Sequence, residues 1–124
     1  MTKIPMSIDV DTQYIEEQSK PEQKRYAFAY TISINNLSHE PVKLLTRHWI
    51  IRDGNQKTQE IKGEGVVGEQ PIIPAGDSFC YTSGAILETP IGTMEGSYQM
   101  VDHNGDHFDL PIPCFPLLQP GSLH

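Results

Sequence analysis

Apolar and polar residues alternate with a period of two along much of the chain, which is typical of β-strands with one buried face. Apolar residues occupy the even positions of residues 4–10, and the same pattern returns more strongly over residues 26–34. The connection between them, residues 16–23, is polar and contains Pro21, which favours an exposed segment. We therefore predict two half-buried strands joined by a surface loop.

The middle and the end of the chain carry the remaining strand patterns. Residues 42–52 are apolar on both parities, with many β-branched and aromatic side chains, which indicates a central strand. The sequence Asp53-Gly54-Asn55 tolerates positive φ and lets residues 57–62 return as a shorter strand. Residues 63–76 hold too many glycines and prolines for a helix or a long strand. Three later strands are predicted at residues 78–83, 94–101 and 107–112.

These patterns predict an all-β fold. Seven or so short strands with frequent turns, and no competing helical periodicity, indicate an antiparallel β-sandwich of the immunoglobulin or fibronectin type III kind. A chain of 124 residues has the usual size of one domain. We therefore predict a single domain over residues 1–124.

The register of the last hairpin follows from the parity of its apolar residues. Apolar side chains on paired strands must face the same side of the sheet, so Met100 should pair with Phe108 and Tyr98 with Leu110. This pairing requires a three-residue loop, in which Gly105 takes the left-handed bulge position. The same register sets Asp102 opposite Asp106.

Composition and charge narrow the classes of function. The formal net charge is -7, and clustered lysines and arginines of the kind that bind nucleic acid are missing from the sequence. No apolar run is long enough to cross a membrane, and polar Ser7 follows the N-terminus too soon for a signal-peptide core. Cys80 and Cys114 have no CxxC spacing, so we expect neither a disulfide framework nor a zinc cluster. We expect a cytoplasmic protein with no membrane insertion and no direct nucleic-acid binding.

The glycine-rich stretch Gly63-Glu64-Gly65-Val66-Val67-Gly68 fits the GxGxxG pattern of dinucleotide-binding proteins. That motif works only between a buried strand and a helix whose N-terminus holds a pyrophosphate, and here Pro71 and Pro74 follow closely. We therefore expect a turn or bulge at a sheet edge rather than a Rossmann fold. An anion-binding nest of backbone NH groups is a further alternative. The candidate ligand or partner contacts are Gly63, Gly65, Gly68, Glu69 and Gln70.

A second candidate site is the predicted hairpin tip, where two carboxylates and two imidazoles occur within residues 102–107. Carboxylate oxygens bind hard divalent cations, and imidazole nitrogen extends the choice towards cobalt, nickel or zinc. The candidate metal ligands are Asp102, Asp106 and His103, with weakly bound magnesium or cobalt as the cation. The alternative is an ordinary solvated turn, since such turns are rich in Asp, Asn and Gly. No other cofactor is expected.

The sequence Arg47-His48-Trp49 lies on the predicted central strand. If Trp49 points into the core, Arg47 lies on the same face near its edge and His48 points the other way. No serine or cysteine can be paired with a histidine and an acid from spacing alone, so the sequence assigns no catalytic residues.

Four ordered blocks carry a resemblance to a known family: Arg47-His48-Trp49-Ile50-Ile51, the stretch from Gly63 to Pro71, Tyr81-Thr82-Ser83-Gly84, and the block from Gly92 to Tyr98. Together with the segment from Phe108 to Phe115, they closely resemble the bacterial ApaG family over essentially the whole chain. The resemblance implies a fibronectin type III-like sandwich. This chain has Gln56 in a turn where relatives often carry glycine, so the resemblance assigns no role to that turn.

The resemblance also frames the function. ApaG proteins take their name from a gene beside the diadenosine tetraphosphate hydrolase and are linked, as CorD, to cobalt resistance and magnesium efflux. Related domains in F-box proteins and in a polymerase delta-interacting protein imply use as a protein-interaction module. We therefore expect a non-catalytic binding module that docks a protein partner at a sheet edge or the glycine-rich loop. A sensor of small ligands or divalent ions is the alternative, an enzyme comes third, and an edge strand could pair two copies.

Overall fold

The structure is a computed structural model that describes residues 4–121. Eight β-strands follow one another within this range, with two single-turn 3-10 helices, Glu16–Gln18 and Pro21–Gln23, after the first strand. The strands are β1 (Met6–Tyr14), β2 (Tyr26–Asn36), β3 (Val42–Asp53), β4 (Thr58–Glu64), β5 (Ile72–Ile73), β6 (Ser78–Leu87), β7 (Ile91–Asp102) and β8 (His107–Leu118).

The strands form two antiparallel sheets, and the predicted all-β sandwich is confirmed. One sheet has the order β1-β2-β6. The other has the order β4-β3-β7-β8, with the short β5 also paired to β3. The described elements enclose one hydrophobic core. Residues 1–3 and 122–124 lie outside the described range, so the assignment of all of residues 1–124 to one domain stays a prediction.

Trp49 lies at the centre of the core and is 2% exposed. Its ring makes edge contacts with Tyr30 of the opposite sheet at 5.4 Å between centroids, and with Phe115 of its own sheet at 5.9 Å. Edge-to-face packing at such distances suits the charge distribution of aromatic rings. The predicted inward position of Trp49 is therefore confirmed.

Two irregularities change the parity of the buried positions along long strands. In β3 the pairing with β7 shifts between Leu44 and Thr46, so the buried positions change from even, as at Leu44, to odd, as at Ile51. In β8 the shift falls between Ile112 and Phe115, with the same effect. Because a bulge adds one residue to one strand only, residues of the opposite parity face the core beyond it. The central strand appeared apolar on both parities for this reason.

The last hairpin has the predicted register. Tyr98 pairs with Leu110 and Met100 with Phe108, and Gly105 has φ +84°. In the loop between β3 and β4, by contrast, the positive φ belongs to Gln56, at +67°, and not to the Asp53-Gly54-Asn55 segment that the sequence indicated. Strands β6 and β8 are also longer than predicted. β6 continues through Gly84 at the edge of its sheet without a register shift, and β8 continues through its prolines with one register shift after Ile112.

Pro111 of β8 has its backbone groups on the outer side of the sheet. Asp102 N donates to Asp106 O at 2.9 Å, and pairing with β7 alternates from there along the strand. By that alternation, Pro111 is at a position whose backbone groups point away from β7. A proline there removes no hydrogen bond from the sheet and leaves the outer edge without a donor at that position. None of the helical segments within residues 4–121 has the length and apolar character needed to span a bilayer.

A buried hydrogen bond joins the two sheets. Tyr81 Oη on β6 and Tyr98 Oη on β7 are 2.5 Å apart, with one hydroxyl donating to the other. Burial raises the pKa of both Tyr81 and Tyr98 above the ordinary value, so both hydroxyls stay protonated. Each therefore depends on the other to satisfy a polar group in an apolar core.

We expect Tyr98→Phe to lower the free energy of unfolding by about 1–3 kcal/mol, because it leaves the Tyr81 hydroxyl buried without its partner. The double variant Tyr81→Phe/Tyr98→Phe should lose less than the sum of the two single losses. Urea denaturation measures the losses of the single and double variants. Tyr26→Phe, at the half-buried start of β2, is the control for the loss of a hydroxyl nearer the surface. Strictly additive losses would contradict the coupling.

Candidate functional site

The first part of the glycine-rich stretch is occupied by an arginine side chain. Gly63 lies opposite Arg47 in the β3–β4 ladder, and a Cβ at Gly63 would come within 2.9 Å of the guanidinium atoms. Arg47 Nη1 donates to Glu64 O at 3.0 Å and to Gly65 O at 2.9 Å. Gly63 therefore leaves room for Arg47 to hold the start of the loop.

The rest of the stretch folds into a closed turn. Val66 and Glu69 exchange two backbone hydrogen bonds of 2.8 and 2.9 Å, and Gly65 N donates to Leu45 O at 2.8 Å. Gln70 Nε2 donates to the same carbonyl at 2.9 Å. Three NH groups that an anion-binding nest would use are thus engaged within the chain, and no helix follows in the rest of the described range, up to residue 121. The predicted exclusion of a Rossmann fold is confirmed.

Val67 occupies an unfavourable position in that turn. Val67 and Gly68 have φ of +44° and +81°, the signs of a type I′ turn, and the Val67 side chain is 55% exposed. A β-branched residue rarely takes a left-handed conformation. The tip of the glycine-rich loop therefore presents an exposed apolar side chain on a strained backbone, while Gly68 and Glu69 stay candidate contacts at its side.

Asp102, one of the predicted metal ligands, forms hydrogen bonds within its own turn. Asp102 Oδ1 accepts hydrogen bonds from Asn104 N at 2.9 Å and Asp106 N at 3.0 Å. The loop after β3 repeats this pattern, with Asp53 Oδ1 accepting from residues 55 and 57 at 2.8 and 2.9 Å. Asp102 therefore stabilises its turn as Asp53 stabilises the other. Across residues 4–121, no group of three or more His, Cys, Asp or Glu side chains is arranged to hold a metal ion.

His48 lies on the outer face of β3, as predicted. Its Nε2 lies 2.6 Å from Oε2 of Glu60 on the neighbouring β4. The hydrogen bond from His48 lowers the pKa of Glu60, with a further contribution from Lys62. Both side chains are partly exposed, so this is a surface pair.

A large cleft opens where the outer edges of the two sheets, β1 and β8, lie side by side. Its volume is about 1240 Å³. It is lined by residues 4–8, by Ser38 and Glu40 from the turn after β2, and by most residues from Asp102 to Pro113. We call it the edge cleft. Gln119 Nε2, which follows β8, and Tyr14 Oη, at the end of β1, are 3.5 Å apart at the other end of these strands.

The edge cleft combines an apolar floor with an acidic rim. Met6, Ile8, Phe108 and Leu110 line it and pack against the core with part of their surface exposed. The carboxylates among its lining residues are Glu40, Asp102, Asp106 and Asp109, and His103 Nε2 lies 3.8 Å from Glu40 Oε2. Lysine and arginine do not occur among the lining residues that the structure describes.

Only one of the two predicted sites therefore lies on the edge cleft. Asp102, His103 and Asp106 all line the edge cleft, whereas the glycine-rich residues Gly63, Gly65, Gly68, Glu69 and Gln70 do not. The sequence reasoning missed Glu40 and the contribution of β1. A signal was present in the acidic and proline-rich first part of β8, but the placement of β1 beside β8 follows only from the packing of the two sheets.

The fold and the site together define this chain as a two-sheet antiparallel sandwich protein with an open edge cleft. Comparison with known proteins specifies it further. The sequence model of the ApaG domain family matches residues 16–102. Protein ApaG of Pseudomonas aeruginosa is 54% identical over 123 residues, which covers 99% of this chain and 98% of that protein. Protein ApaG of Pectobacterium atrosepticum is 51% identical over 117 residues, 94% of each chain.

Two solved structures have the same fold. A structural genomics target determined by X-ray crystallography is 52% identical, with a TM-score of 0.91, over 96% of this chain and 90% of that chain. A crystal structure from Bordetella pertussis, described as ApaA, is 46% identical, with a TM-score of 0.92, over 96% of this chain and 97% of that chain. This chain therefore belongs to the ApaG family, as its sequence blocks indicated.

We expect Val67→Asn to raise the free energy of unfolding by about 1 kcal/mol, because asparagine tolerates the left-handed conformation that valine resists and Asn-Gly suits a type I′ turn. Urea denaturation with wild type beside it measures the change. Val67→Ala separates the loss of the side chain from the relief of strain. A lower midpoint for Val67→Asn would show that the turn is not strained at this position.

The divalent-cation hypothesis is tested by Asp102→Asn, since the amide oxygen can still accept the turn hydrogen bonds while the charge is lost. If the hairpin tip binds magnesium or cobalt, titration calorimetry should record a smaller heat for this variant than for wild type. Asp53→Asn makes the same change in the equivalent turn away from the edge cleft and should leave the heat unchanged. Identical heats for Asp102→Asn and wild type would contradict the hypothesis.

Proposed function

We propose that this ApaG-family protein is a non-catalytic module that binds a partner protein in the edge cleft. The observation that carries the proposal is the cleft itself, in which apolar side chains from two edge strands stay partly exposed beneath a rim of carboxylates. Exposed apolar surface bordered by polar groups is typical of interaction sites in soluble proteins.

The size and shape of the edge cleft support a protein segment rather than a small ligand. Pockets for small molecules have volumes of about 300–1000 Å³ and enclose most of the ligand. The edge cleft, at about 1240 Å³, is larger and runs along two neighbouring strand edges. A stretch of polypeptide would extend along these strands and bury the apolar floor.

The net charge and the cysteines support a basic protein partner and a reducing compartment. A net charge of -7 favours a basic protein surface over a nucleic acid as the partner. Cys80 and Cys114 are free and exposed, which suits a reducing cytoplasm.

Sensing of divalent cations is the second candidate function. The observation that favours it is the position of Glu40 on the same rim as Asp102, Asp106 and His103, which adds a carboxylate to the three predicted ligands. It is placed second because Asp102 Oδ1 already accepts two backbone hydrogen bonds and because, across residues 4–121, no group of three or more His, Cys, Asp or Glu side chains is arranged to hold a metal ion.

Position-specific photocross-linking in living cells tests the proposal. A benzoylphenylalanine at position 104 or 113, both exposed positions on the edge cleft, should form a covalent product with a specific protein. Position 55 is the matched control, because Asn55 holds the same place in its turn as Asn104 but lies away from the cleft. The same product from all three positions, or none from 104 and 113, would contradict the proposal.

The non-catalytic part of the proposal has its own test. Purified protein should leave diadenosine polyphosphates intact, and a steady release of mononucleotides that scales with protein concentration would overturn it.

A further inference from the structure

The free edge of β1 presents backbone groups to the edge cleft. Leu37 N donates to Pro5 O at 3.0 Å and Ile15 N donates to Ala27 O at 2.8 Å, so the odd positions of β1 face β2. Because hydrogen-bonding direction alternates along an antiparallel strand, NH and CO groups at Met6 and Ile8 point outward instead. These two residues line the cleft and also pack against the core.

The opposite wall of the cleft lacks this capacity. Asp109 and Pro111 are at positions of β8 whose backbone points away from β7, and Pro113 lies in the register shift that follows; neither proline has an NH to donate. An incoming strand can therefore form a regular ladder with β1 but not with β8. The geometry selects one of the two edges for strand addition.

The rim specifies the charge of such a strand. Glu40, Asp106 and Asp109 surround the cleft, with Asp102 at the hairpin tip. A segment with lysine or arginine at alternate positions would place cations near these carboxylates while its other side chains cover the apolar floor. An acidic segment would meet like charges on the rim.

We propose that the edge cleft takes a short extended segment of a partner protein, in which basic and apolar residues alternate, and that this segment adds as a strand to the first half of β1. This inference rests on the proposed function and specifies the partner's chemistry and its mode of binding. A second copy of this chain is a poorer occupant, because it would bring the same acidic rim and a net charge of -7 against this one.

The test uses fluorescein-labelled peptides of about six residues, which suits a segment extending along residues 4–8. Lys-Val-Lys-Val-Lys-Val should bind, with an affinity that falls as ionic strength rises, as measured by fluorescence anisotropy. The Glu-Val repeat should not bind. A Lys-Val peptide N-methylated on the residues that face β1 keeps its side chains but loses its donors, so it should bind at least about tenfold less tightly.

Protein variants test the rim separately from the fold. Glu40→Gln/Asp106→Asn/Asp109→Asn should weaken binding of the lysine peptide by about tenfold at low salt. The control, Glu16→Gln/Glu17→Gln/Glu22→Gln, changes the net charge equally in the 3-10 turns and should leave the affinity unchanged. Hydrogen exchange at the Met6 and Ile8 amides should slow when the lysine peptide is bound.

The outcomes separate this inference from the proposed function. The inference is overturned if the Glu-Val or a Ser-Val peptide binds as well as the lysine peptide, if N-methylation has no effect, or if rim and control variants behave alike. It is also overturned if sedimentation shows a dimer that protects the same amides, since the occupant is then a second copy. If a partner still cross-links to positions 104 and 113 in any of these cases, the proposed function stands; if it does not, both fail.

Discussion

The packing of Trp49 against Tyr30 is the constraint on which the sandwich depends. These two rings meet edge-on at 5.4 Å and hold the sheets together at the centre, where Phe115 and Tyr98 also contact the indole. Within residues 4–121, Trp49 Nε1 is buried with no hydrogen-bond partner, at a cost of about 1–3 kcal/mol. The aromatic packing offsets that cost. Because the sheets are fixed at the middle, their edges at β1 and β8 are where the two layers leave a cleft between them.

Much of the fold could be predicted because strand alternation is a local property. The even-numbered apolar positions of β1 and β2 come directly from the pleat of a strand, and parity alone gave the register of the last hairpin. The bulges could not be predicted, because an added residue at Leu45 has no side-chain signature of its own. The positive φ of Gln56 was missed for a related reason. The turn-forming residues Asp53-Gly54-Asn55 indicated the turn, but the residue with positive φ is the one that follows them.

The candidate site was harder to predict than the fold because it is assembled from distant segments. Asp102 and Asp106 were recognised as a cluster since they are four residues apart, yet Glu40 joins the same rim from the turn after β2. The glycine-rich stretch stood out in the sequence because the fold itself requires glycines there. Gly63 makes room for Arg47, and Gly68 completes a tight turn. A conspicuous motif thus has a structural explanation, while an inconspicuous pair of strand edges forms the edge cleft.

The prolines of β8 have a consequence for how far association could proceed. Growth of a β-sheet filament requires each subunit to offer two complementary free edges, so that every addition creates a new place for the next. On this side of the sandwich, β1 has a complete row of outward backbone groups, and β8 is interrupted by Pro111 and Pro113. A strand that joins β1 therefore leaves no second regular ladder on the cleft side, and the other outer strands of the two sheets, β6 and β4, lie away from the cleft. In the terms of polymer chemistry, the cleft side is monofunctional, and it can accept a partner without offering a second site for chain growth beside it.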